Sequence, residues 1–105
     1  MSAEFAHGYG RRMESALDEM RALILGRYPD ATFDTGPSQD DATIVHLYAY
    51  VDVDDTDEVM DLVVDRMVDI QAKEGLPLFV IPMQTPARAA ARWAEYEQRA
   101  GRPTP

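Results

Sequence analysis

Apolar residues return at helical spacing through the first quarter of the chain. Phe5, Tyr9, Met13, Leu17, Met20, Ile24 and Tyr28 follow one another at steps of three or four, with Ala16 and Leu23 beside them. Gly8 and Gly10 weaken the early part, so the pattern predicts a helix over 11–27 and leaves 1–10 irregular or frayed. Tyr28-Pro29-Asp30 ends it, because a residue before proline avoids the helical region. A weak strand follows over 31–35, then a loop, Gly36-Pro37-Ser38-Gln39-Asp40-Asp41.

The strongest strand signal runs over 43–52. Thr43, Val45, Leu47, Ala49, Val51 and Val53 fall on one face, and Ile44, His46, Tyr48, Tyr50, Asp52 and Asp54 on the other. The first face reads as core, the second as aromatic and polar. Asp55 is placed to cap a second helix, with Glu58 completing a capping box. Val59, Met60, Val63, Val64, Met67 and Ile70 give that helix its apolar stripe, and Gly75 followed by Leu76-Pro77 stops it. Leu78-Phe79-Val80-Ile81 is apolar throughout and of strand length, which predicts a buried strand, while Pro82 marks a sheet edge. Thr85-Pro86 pairs a capping residue with proline at the first helical position and opens a last helix.

The order is α-β-β-α-β-α. A short loop suits an antiparallel first pair of strands, and a right-handed β-α-β crossover makes the second pair parallel. The expected fold is α/β (an α+β sandwich) in a single domain over 1–105. It has a three-stranded mixed sheet, the long second strand at its centre, and the first two helices on the Val45/Leu47 face. Residues 86–100 form a C-terminal helical arm and 101–105 a fraying tail.

Composition narrows the functions open to such a fold. With 105 residues, 46% hydrophobic and 28% charged, the chain can bury one small core and is not of disordered type. A core that small leaves little surplus stability, so self-association would help. A net charge of −9 opposes binding to nucleic acid or to an anionic membrane and favours neutral or basic protein partners. The absence of cysteine excludes disulfides, zinc–thiolate and iron–sulfur sites, and thiol nucleophiles. Met1-Ser2-Ala3-Glu4-Phe5 does not open a signal peptide and no apolar run has membrane-spanning length, so a cytoplasmic location is expected.

The candidate chemistry is sparse. Asp52-Val53-Asp54-Asp55-Thr56-Asp57-Glu58 looks like a calcium loop, but the glycine and glutamate that such a loop needs at its sixth and twelfth positions are Asp57 and Val63 here. Helix-capping acids explain the run better, and no metal or other cofactor is expected. Asp57, Asp61, Asp65 and Asp69 recur four apart, which is either a solvated helix face or a landing strip for a basic partner. His46, Tyr48 and Tyr50 share one side of the central strand. They could bind a planar ligand or move a proton, or could pack against a covering layer or an oligomer partner. No serine, lysine or second histidine completes a catalytic set beside them, and His7 lies far off in a glycine-flanked segment. Gly8-Tyr9-Gly10-Arg11-Arg12 lacks both the third glycine and the preceding strand of a dinucleotide motif.

The last helix carries more information. Ala89, Trp93, Tyr96 and Ala100 make one apolar seam. Residues 86–105 hold four basic and two acidic side chains, whereas residues 1–85 hold six and seventeen. A basic, aromatic arm on an acidic body points to docking, on its own sheet or on a second copy. The stretch Asp52 to Ile81 resembles the strand-helix-strand part of small nucleotidyltransferase domains. It lacks the Gly-Ser motif that holds nucleotide phosphates there, so the resemblance implies no site residue. The expectation is a non-enzymatic interaction or regulatory module acting as a homodimer through His46, Tyr48, Tyr50, Trp93 and Tyr96. The alternative is a small ligand-binding protein or enzyme with a pocket near His46, Tyr48 and Tyr50.

Overall fold

The computed structural model describes residues 10–38 and 41–100. The expected irregular start, with Phe5, His7 and Tyr9, and the expected fraying tail lie outside that range. Three helices and three strands form an α+β fold in the order α1 (Gly10–Arg27), β1 (Thr32–Pro37), β2 (Val45–Val51), α2 (Asp57–Lys73), β3 (Leu78–Gln84), α3 (Pro86–Arg99). The sheet order is β1-β2-β3, so the long second strand is central. β1 pairs antiparallel with β2, from Thr32 opposite Tyr50 to Pro37 opposite Val45, and β3 pairs parallel, from Val45 beside Leu78 to Val51 beside Gln84.

Alternation along β2 sets which way each side chain faces. Val45, Leu47, Ala49 and Val51 are buried with Leu78 and Val80 of β3. Met13, Ala16, Leu17, Met20 and Ile24 of α1 and Val59, Val63, Met67 and Ile70 of α2 complete that core from the same side. The two helices meet at the surface through Arg66, which donates to the Glu19 carboxylate on α1 and to Glu74 at 3.0 Å. Hydrogen bonding from Arg66 holds the Glu19 pKa below the usual carboxylate value.

Three boundaries differ from expectation. β1 extends through Gly36 and Pro37, where a loop was predicted. The Ser38 N–H donates to Ile44 O at 2.8 Å, and hydrogen-bonded pairs alternate along an antiparallel ladder. The missing N–H of Pro37 therefore falls on the side away from β2 and costs no ladder bond. β2 starts at Val45 rather than at Thr43, because Asp41 Oδ1 accepts from both the Thr43 N–H at 3.0 Å and its hydroxyl at 2.7 Å, closing a turn. The N-cap of α2 is Thr56 rather than the expected Asp55, and the capping box does not form. Asp55 Oδ1 accepts from Asp57 N–H at 2.9 Å, but Glu58 accepts a 2.6 Å bond from the Tyr28 hydroxyl instead of reaching back. The glycine stop is as expected, with Gly75 at φ 67.

Candidate functional site: the open sheet face and helix α3

The side of the sheet turned away from α1 and α2 is where the sequence places its aromatic residues. Partner residues in neighbouring strands share a face, so the register lays out three rows: Gly36-His46-Phe79, Asp34-Tyr48-Ile81 and Thr32-Tyr50-Met83. None of these residues belongs to the core cluster. His46, Tyr48, Tyr50 and Ile81 are half-buried by their neighbours, while Phe79 and Met83 are 41% and 40% exposed. His46 meets Tyr48 edge-on with centroids 5.7 Å apart and Phe79 edge-on at 6.4 Å. Its Nδ1 lies 3.2 Å from the Tyr48 hydroxyl. These contacts make an aromatic cluster on the open face of the sheet. A surface depression of about 520 Å³ lies beside α3, lined by Asp54, Arg88, Arg92 and Glu95.

This arrangement corrects the expectation for β3. The run Leu78-Phe79-Val80-Ile81 was read as buried throughout, but only Leu78 and Val80 are, because helices cover a single face of the sheet. Phe79, Ile81 and Met83 are the functional candidates that sequence reasoning missed. Their signal was the parity that a parallel register with β2 imposes, and that register was not available from the apolar run alone.

Helix α3 begins one residue after β3. Thr85 caps it, its hydroxyl accepting from Arg88 N–H at 3.2 Å, and Pro86 follows. No residue of α3 is buried. Trp93 and Tyr96 stack on each other with centroids 5.4 Å apart, yet are 61% and 54% exposed. Docking on the chain's own sheet, one of the two expected modes, is therefore not found within the chain. The neighbouring flank of the helix is what holds it. Arg88 forks between Asp52 (Nε to Oδ1, 2.7 Å) and Asp54 (Nη1 to Oδ1, 2.8 Å), and Arg92 donates to the Asp54 carbonyl at 2.8 Å. Hydrogen bonding to Asp52, with the charges of Asp52 and Asp54, pushes the Arg88 pKa further up. Two of the acids first considered as calcium ligands thus serve as the anchor of α3.

The aspartate row on α2 is open as well. Asp57, Asp61 and Asp65 are exposed, and Asp69 pairs with Lys73 at 3.6 Å. Among the described residues no three His, Asp or Glu side chains are grouped so as to hold a metal ion, and no helix is long and apolar enough to cross a membrane. Comparison with models of known families, with characterised proteins and with solved structures gives no match to this chain.

Proposed function

We propose that the protein is a non-enzymatic interaction or regulatory module that works as a homodimer through the open face of its sheet and through α3. The observation that carries this reading is β3. A strand apolar on both faces is what a sheet covered on both sides uses, and here only one side has its cover. Phe79, Ile81 and Met83 with His46, Tyr48 and Tyr50 form a contiguous apolar and aromatic patch, the kind of surface that marks an interaction site. Less supports a ligand-binding enzyme, since the side chains beside His46, Tyr48 and Tyr50 on β3 are the apolar Phe79, Ile81 and Met83. The exposed Asp57, Asp61 and Asp65 leave the outer side of α2 open to a basic protein partner of the assembled dimer.

Light scattering over a dilution series tests the reading. The expected mass is twice that of the chain at high concentration, falling towards one chain on dilution. A set of common metabolites should leave the melting temperature unchanged. A strictly monomeric chain stabilised by one ligand class would instead support a binding protein.

A further inference from the structure

We infer that α3 of one copy lies across the open sheet face of a second copy and that the second copy's α3 returns the contact. The inference rests on the homodimer reading and specifies how it is built. Each chain carries two unpartnered apolar elements, one helical and one sheet, and they are complementary. The helix offers a narrow seam of Ala89, Trp93 and Tyr96. The sheet offers Phe79, Ile81 and Met83 beside three aromatic rings. Their lengths agree, since a 14-residue helix spans about 21 Å and a seven-residue strand about 23 Å.

The chain cannot readily satisfy the pair within itself. Thr85 alone links β3 to α3, and the Arg88 fork to Asp52 and Asp54 fixes the first turns of the helix at the strand's end. That leaves the seam facing outward. A two-fold exchange uses both vacant elements of both copies and then closes, leaving no apolar edge to propagate a fibre. Charge agrees with this choice of occupant. Arg88 and Arg92 are engaged with Asp52 and Asp54 of their own body, so the positive charge that the described helix can offer a second copy is Arg99, and the acid that the open face offers is Asp34. Asp34 on the sheet face and Arg99 on α3 form no ion pair within the described chain and are free to meet across the interface.

The absence of native cysteine makes the test clean. A tagged Tyr48→Cys chain and an untagged Ala89→Cys chain are co-expressed in full length and treated with a short bis-maleimide. The expected product joins tagged to untagged chain. Tagged-to-tagged products would mean that the sheets pack face to face, and untagged-to-untagged products that the helices pair. Either result overturns the exchange while leaving the homodimer standing. Monomer mass for the wild-type chain overturns both, and a dimer that gives no product overturns the exchange. In parallel, Trp93→Ala with Tyr96→Ala in the full chain should raise the dimer dissociation constant at least about 30-fold, the level of a single hot-spot aromatic. Helix content and the melt at dilutions where both proteins are monomeric should stay unchanged, because α3 buries nothing in its own body. An unchanged dissociation constant would also overturn the proposal.

Discussion

Arginine does most of the joining in this protein. Arg66 ties α1 to α2 through Glu19 and reaches Glu74 at the end of its own helix, and Arg88 ties α3 to the end of β2 through Asp52 and Asp54. These pairs sit at the surface, with Arg66, Glu19 and Glu74 side chains near 40% exposed, so solvent screens them and each contributes little. Their pH signature follows from the lowered pKa of Glu19. A carboxylate whose folded pKa lies below its unfolded one gives its full stabilisation above the unfolded value. It loses that stabilisation as pH falls through the folded value. Glu19→Gln should therefore cost up to about 1 kcal/mol near neutral pH and nothing at strongly acid pH, measured by urea unfolding at both. A constant difference at every pH would mean that the ionised pair with Arg66 is not responsible.

At the scale of elements, the sequence announces each helix and strand by period, cap and breaker, and it errs where a neighbouring strand decides. The alternation Val45, Leu47, Ala49 against His46, Tyr48, Tyr50 is legible because the two sets differ in chemistry. The run from Leu78 to Ile81 is illegible because both sets are apolar, and only pairing with β2 reveals that Phe79 and Ile81 share a face with His46 and Tyr48. The capping box failed for a similar reason, since Tyr28, thirty residues away in sequence, competes for Glu58. Of the candidate site, the five residues His46, Tyr48, Tyr50, Trp93 and Tyr96 could be picked from their spacing. The three from β3 and the Arg88 anchor needed the fold. The division of the sheet into a packed face and an open one predicts unequal costs for adjacent residues. Leu47→Ala, which empties a fully buried site, should cost about 2–5 kcal/mol of unfolding free energy. Tyr48→Ala should cost less than about 1 kcal/mol when measured at dilutions where the chain is monomeric. Equal losses at the two positions would place a covering layer over Tyr48 within the single chain.

The whole molecule is a two-layer structure near the lower size at which one core suffices, and a chain this short buries only about two-thirds of the surface its unfolded form exposes. Leaving an apolar sheet face and an apolar helix seam outside that core sacrifices stability in the single chain, and the proposed association would restore it. The central claim is that Trp93 becomes buried when two copies meet. Trp93 is the only tryptophan, so its emission reports on that one position without labelling. The measurement is the emission maximum across a dilution series, set beside mass from light scattering on the same samples. The account predicts a short-wavelength maximum at high concentration that moves to the long-wavelength value of an exposed indole, with a midpoint coinciding with the fall from two chains to one. An emission maximum of exposed type that stays constant while the mass falls from two chains to one would contradict it.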